Sequence, residues 1–282
     1  MIKKNKTEKG PQYIPSPLNN MMLNYCEYYM SSFEKIMFSV IAFVVGGVVS
    51  LVFYSGLFME DGEATLATMI SNVAFFVVVG FIASKVSMPA FNKILFNRRN
   101  KKLKKQFMDL MDCLATSLSA GNTVTDSFRN AKNDLLNQYS MEDMIIIEVN
   151  EIIVGIDNGY SIEQMLLAFG ERSGNEDVLN FSNIMGNCFR MGGDFKNVVI
   201  KTRDIIANKI EVENEITTKI SSNKMQLNVM TIMPVMVVGL MKIMNPSFAQ
   251  NLAKPIGLVV TTLAIGIFVL AYFWGQKIID IK

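Results

Sequence analysis

The chain has 282 residues, a formal net charge of +2 and no histidine. A charge this small argues against a nucleic-acid-binding protein, which normally carries a strong basic excess, and the absence of histidine removes the commonest general base and the commonest metal ligand. The cysteines lie far apart without a C-x-x-C pair. We therefore expect neither a zinc site nor a disulfide framework, and we interpret Cys113 and Cys188 as buried free thiols.

The N-terminal region divides into two parts. Met1–Pro17 contains four lysines and three prolines and few residues that could pack, which predicts a disordered cytoplasmic tail. From Leu18 onwards, apolar and aromatic residues recur at helical spacing as far as Phe33. This pattern predicts an amphipathic helix that lies on the membrane surface or packs on a partner. The alternative is a helical extension of the next segment into water.

Two uncharged apolar stretches follow, Ile36–Met59 and Ala64–Ser84, and each is long enough to cross a bilayer, which needs roughly 20 residues. An acidic segment separates them, and a basic run comes after the second. By the positive-inside rule the basic run and the N-terminus are cytoplasmic and the acidic segment is outside. The position of the basic run beside a membrane span favours a role in topology and in contact with lipid headgroups. It consists of Lys93, Arg98, Arg99, Lys101, Lys102, Lys104 and Lys105.

The segment from Lys102 to Met225 shows helical periodicity throughout and contains no further span. Thr123 or Thr125 is suited to cap a helix, because a threonine hydroxyl can accept from a free backbone N–H. An isoleucine-rich helix is expected over Met141–Ile156, although strands remain possible there. Two amphipathic helices follow between Tyr160 and Lys196.

A long helix is expected to begin near Asp194 and to continue without a breaker as far as Pro234. Its final part, Asn228–Met244, forms a third apolar stretch, in which Lys242 is placed to reach the membrane interface. A turn with two prolines leads to the fourth span, Ile256–Trp274. Four spans return the C-terminus to the cytoplasm.

These patterns predict an all-α membrane protein with four transmembrane helices, N-in and C-in, and one cytoplasmic antiparallel helical-bundle domain between the second and third. In the first span a small-residue face at Ala42, Gly46 and Ser50 is suited to helix–helix contact. The predicted parts are a tail and amphipathic helix (residues 1–35), transmembrane helices 1 and 2 (36–86), the cytoplasmic helical domain (87–225), and transmembrane helices 3 and 4 with a short cytoplasmic C-terminus (226–282).

No enzymatic signature survives inspection. The chain lacks a P-loop motif, and the sequence RMGGDF at Arg190–Phe195 lacks the second acid that a GGDEF cyclase needs directly after the aspartate. The same residues differ from the G-x-G-D of membrane aspartyl peptidases, because Met191 occupies the first glycine position. We therefore expect no catalytic residue, no cofactor and no metal.

Four segments nevertheless resemble a known family. They are SLSAGNTVTDSF (Ser117–Phe128), GYSIEQMLLAFGERSGNEDVLNF (Gly159–Phe181), CFRMGGDF (Cys188–Phe195) and GQKIIDI (Gly275–Ile281). The residues of these segments, their spacing and the order of membrane spans and helical domain are similar to those of the type II secretion system F domain family. The similarity is greatest to its members in Tad (Flp) pilus assembly. The resemblance covers the chain from Lys101 to the C-terminus.

The resemblance implies a function without catalysis. Members of this family are plasma (inner) membrane platform proteins of pilus and secretion machines, which couple a hexameric cytoplasmic ATPase to the extraction of pilin subunits and filament assembly. Because the helical domain occurs once here, a second protein of the same family is implied as partner, together with pilins, membrane lipids and an oligomeric state, and without nucleic acid. The alternatives are a small-solute transporter and a membrane-bound signalling protein.

The turns on either side of the last two amphipathic helices are candidate contacts for a partner protein. Their glycines and charges are equally suited to a structural role, in which glycine supplies a positive φ, aspartate caps a helix and the charges lie in solvated turns. The candidate contact residues are Arg172, Glu176, Asp177, Arg190, Gly192, Gly193 and Asp194.

Overall fold

The computed structural model describes residues 11–55 and 65–279, and nearly all of the secondary structure in these ranges is helical. The described residues form two units. Residues 11–29 and Asn92–Val212 make up the first, here called the core unit. Met30–Phe91 and Glu213–Lys282, in their described parts, make up the second, here called the spanning unit.

Four helices, which lie wholly or partly in the spanning unit, are long and apolar enough to cross a membrane. They are α1 (Ser32–Tyr54), α2 (Leu66–Ser119), α7 (Phe195–Met244) and α9 (Pro255–Ile279). Large apolar side chains along them are exposed, as expected where the surrounding solvent is lipid. These four helices indicate a membrane protein. The helices α2 and α7 continue without interruption through the domain boundaries predicted near residues 87 and 225.

Close packing joins α1 to α2. A methyl group added at Gly46 would lie 2.6 Å from Cβ of Ala83 and 3.4 Å from Cα of Gly80, and the Ser39 and Ser84 hydroxyls share a hydrogen bond of 2.6 Å. This confirms the predicted helix–helix contact at Gly46, since only a residue without bulk permits such an approach.

The predicted turn between the third and fourth spans is wrong. Its residues form a short helix, α8 (Pro246–Ala253), with proline in the first turn. The Asn245 side chain accepts from the Phe248 N–H and so caps the helix. Proline is compatible with this position, because the first N–H groups of a helix have no internal partner.

The core unit is built from α3 (Val124–Leu135), α4 (Met144–Asp157), α5 (Ile162–Ser173) and α6 (Glu176–Met191), with the adjoining parts of α2 and α7. Thr123 caps α3 by accepting from the Asp126 N–H, and the isoleucine-rich segment is helical in α4. The α5–α6 pair is held by Ser182, whose hydroxyl donates to the Leu166 carbonyl at 2.8 Å. The largest buried side chains are aromatic: Phe107, Phe128, Phe169 and Phe181.

The predicted amphipathic helix from Leu18 is also wrong. The segment forms an antiparallel hairpin of β1 (Tyr13–Pro15) and β2 (Met21–Leu23), and the first helix begins only at Ser32. Asn19 adopts a left-handed conformation with φ of 62° in the intervening turn, and proline disfavours a helical backbone in the residue before it. Part of the predicted tail, residues 1–10, lies outside the described residues, as do the acidic segment at 56–64 and the last three residues.

Candidate functional site

The corner between α6 and α7 contains four of the predicted contact residues. Gly192 has φ of 65°, the left-handed conformation that glycine adopts without steric cost, and the Gly193 N–H donates to the Cys188 carbonyl at 2.9 Å. Asp194 then caps α7, since its Oδ1 accepts from the Asn197 N–H at 3.2 Å. The predicted structural role of this turn is confirmed.

The same corner is exposed. Arg190, Gly192, Gly193 and Asp194 all lie on the surface, and Met191 at the tip is 86% exposed. Beneath the tip the rings of Phe189 and Phe195 pack together, with centroids 3.8 Å apart. The corner therefore presents an apolar side chain, two glycines and two opposite charges on an ordered base.

The N-terminus of α6 carries the next two candidates, which have different environments. Glu176 is exposed. The Asp177 side chain is only 11% exposed and pairs with Lys209 at 2.7 Å and Lys104 at 3.4 Å. Asp177 thus joins α6 to α7 and α2, so the prediction that it lies in a solvated turn is wrong.

The prediction that Arg172 lies in a solvated turn is also wrong. Arg172 is 4% exposed and its Nη2 donates to Oε2 of Glu148 at 2.6 Å, so the pair lies inside the core unit. Burial raises the pKa of Glu148 to about 7, and the Arg172 guanidinium opposes this shift. A buried arginine cannot contact a partner directly, and its role here is internal.

The basic run lies entirely on α2, and several of its members are engaged within the core unit. Lys102 donates to Oδ1 of Asp143 at 2.6 Å and thereby holds the pKa of that carboxyl down at about 2. Arg99 donates to backbone carbonyls of the N-terminal segment, including that of Glu27 at 2.6 Å. The members classed as exposed are Lys93, Arg98, Lys101, Lys102 and Lys105.

Sequence reasoning missed both buried carboxylates of α4, Glu148 and Glu151. Glu151 is 7% exposed and accepts from the Ser16 hydroxyl at 2.5 Å and from the Asn20 amide at 3.1 Å. Glu148 and Glu151 interrupt an isoleucine-rich helix at a spacing of three residues, which places both on one face. Two acids three residues apart within a mostly apolar run were the available signal.

Lys242 does not simply extend to the membrane interface as predicted. Its Nζ donates to the carbonyls of Phe53 and Ser55, each at 3.0 Å. These carbonyls belong to the C-terminal end of α1, where helix carbonyls have no internal partner and a positive charge is favourable. Lys242 therefore caps α1 within the spanning unit.

Among the described residues, no group of three or more histidine, cysteine, aspartate and glutamate side chains is arranged to hold a metal ion. Comparisons with family models, with curated proteins and with solved structures found no match.

Proposed function

We propose that this chain is a platform protein of a Tad or type IV-like pilus, or of a type II-like secretion machine. The observation that carries the proposal is where the family-like segments fall. Ser117–Phe128 contains the Thr123 cap of α3, Gly159–Phe181 contains the Ser161 cap of α5, and Cys188–Phe195 forms the corner before α7. Three separate segments of the sequence thus supply helix ends of a single unit.

The proposal includes the finer topology. Four helices cross the plasma (inner) membrane with both termini in the cytoplasm, and the core unit is a cytoplasmic antiparallel helical bundle. The exposed cations of α2, such as Lys93, Arg98 and Lys101, support this orientation, since basic residues next to a span are retained on the cytoplasmic side. They also fit contact with anionic lipid headgroups.

In this function a hexameric ATPase contacts the core unit and drives it. The exposed corner at Met191–Asp194 is the proposed contact, because it combines an accessible apolar residue with charge on an ordered base. The helix that begins there, α7, extends for 50 residues. A second protein of the same family, pilin subunits and further copies of the chain complete the proposed assembly.

The proposal predicts the phenotype of a strain that lacks this chain. Pili should be absent, while prepilin is still made and cleaved to its mature length, because processing precedes assembly. Electron microscopy of the cells and immunoblotting for pilin measure the two outcomes separately. Complementation with the full chain should restore pili, and normal piliation in the uncomplemented deletion strain would contradict the proposal.

A further inference from the structure

Residues 11–29, here called the N-terminal strap, are held against the helices of the core unit by contacts of the strap backbone. The Tyr25 N–H donates to the Arg172 carbonyl at 2.9 Å, and Nη2 of Arg99 donates to the carbonyls of Tyr25 and Glu27 at 3.2 and 2.6 Å. The Arg99 guanidinium also lies 4.9 Å from the centre of the Tyr28 ring. The strap is therefore an ordered element that occupies a defined position against α2 and α5.

Two carboxylates lie beneath this strap and contact it directly. Glu151 accepts from Ser16 and Asn20, and the buried Tyr25 side chain lies beside the Glu148 carboxylate. Both glutamates are buried, with exposed fractions of 1% for Glu148 and 7% for Glu151. The strap side chains meet the two carboxylates through polar groups. The strength of these contacts therefore depends on the charges of Glu148 and Glu151, which together are here called the seat.

The charge of this seat is incompletely balanced. Arg172, from α5, pairs with Oε2 of Glu148, whereas the nearby Glu151 on α4 adds a second negative charge. From the strap, Tyr25 contributes a neutral hydroxyl, and Arg99 of α2 is directed at the strap backbone. The Arg172 guanidinium thus contacts one buried carboxylate while a second lies nearby, which favours retention of a proton on Glu148.

The geometry provides a place for that proton. Oε1 of Glu148 is buried and has no hydrogen-bond partner among the residues that the structure describes. Protonation of Oε1 would leave Oε2 free to accept from Arg172, and it would remove the repulsion between Glu148 and Glu151. We propose that the N-terminal strap is a proton-sensitive device, which is held most firmly when Glu148 is protonated.

The direction of the pH dependence follows from linkage. With the strap seated, burial raises the pKa of Glu148 from its ordinary 4.5 to about 7, and release of the strap returns water to the carboxylate and lowers that pKa. Seating therefore takes up a proton. The strap should be tightest below the ordinary pKa of glutamate, loosen as the pH rises towards 7, and show no further change above that. Acidification would fasten it.

Hydrogen–deuterium exchange measured by mass spectrometry on the full-length protein in detergent micelles tests this proposal. Rates are taken from pH 5 to 8.5 and corrected for the pH dependence of the chemical exchange step. One linked proton changes an equilibrium by up to about tenfold per pH unit. We expect the opening constant of peptides from residues 11–29 to rise at least about tenfold from pH 5 to 7 and to level off above, while peptides around Phe181 stay constant.

Three substitutions identify the group responsible. Glu148→Gln removes the titrating carboxyl and should abolish the pH dependence of strap opening. Glu151→Gln removes the neighbouring charge that raises the pKa of Glu148 and should move the transition to lower pH. Glu142→Gln, at an exposed position, should leave the native profile unchanged. A native profile without a transition, or the same transition in Glu148→Gln, would overturn the proposal, and the Glu151→Gln shift tests it even if Glu148→Gln does not fold.

Discussion

A buried guanidinium is costly unless a carboxylate meets it, and Arg172 and Glu148 satisfy this condition across 24 positions of sequence. Such a pair adds little net stability compared with apolar residues of similar volume, but removal of one partner leaves the other buried and without compensation. The Arg172 side chain is 5% exposed and that of Glu148 is 1% exposed. Solvent screening is therefore minimal.

We predict that Arg172→Ala destabilises the core unit by about 3–5 kcal/mol, because it leaves Glu148 buried and unpaired. The double substitution Glu148→Leu with Arg172→Met removes both charges and should regain most of this loss. Denaturant unfolding of the purified protein, followed by exchange protection of α4 and α5, measures both. A double variant as unstable as the single one would contradict the ion-pair explanation.

Sequence reasoning fails to predict which charged residues are buried. Arg172, Glu176 and Asp177 form one polar cluster in the sequence, yet only Glu176 is exposed. The partners of the other two, Glu148, Lys104 and Lys209, come from different helices. Whether a charge is buried depends on such distant partners, and one sequence contains no record of them.

At the scale of elements, local chemistry predicted the helix ends better than the irregular segments. Thr123 and Asp194 cap the helices that they were expected to cap, because capping depends on residues within a single turn. The strap hairpin was missed, since its short strands depend on contacts with α4 and α5 that are more than 100 residues away. The helix α8 was missed because the proline that begins it and the proline that begins α9 favoured a turn.

The contact between α1 and α2 gives a prediction at this scale. A methyl group at Gly80 would lie 2.8 Å from the carbonyl oxygen of Phe43, a backbone atom that cannot move independently. We expect Gly80→Ala to destabilise the spanning unit by about 1–3 kcal/mol, the usual cost of overpacking. Thermal unfolding of the protein in micelles measures the change.

Gly266 provides the matched control, because it also lies in an apolar helix but a methyl group there would meet nothing within 4 Å among the described residues. Gly266→Ala should leave the melting temperature unchanged. Equal effects of the two alanine substitutions would show that helix propensity, and not the approach of α1 to α2, determines the response.

At the scale of the whole molecule, composition predicted the division into apolar and polar parts. The four apolar stretches all became helices of sufficient length to cross a membrane, since a run of about 20 apolar residues has few other stable arrangements. The family-like segments pointed to a platform function, which the sequence alone could not connect to a surface. The structure adds a specific surface to that proposal, the exposed corner around Met191.

The central claim is that the core unit meets a cytoplasmic ATPase in the course of pilus assembly. Site-specific photo-crosslinking in piliated cells tests this most directly, with the reactive residue placed at Met191 or, as a control on the same unit, at Met141, which is 66% exposed. The proposal predicts an ATPase adduct from position 191 and none, or far less, from position 141. The absence of an ATPase adduct at both positions, in cells where the variant chains support normal piliation, would contradict it.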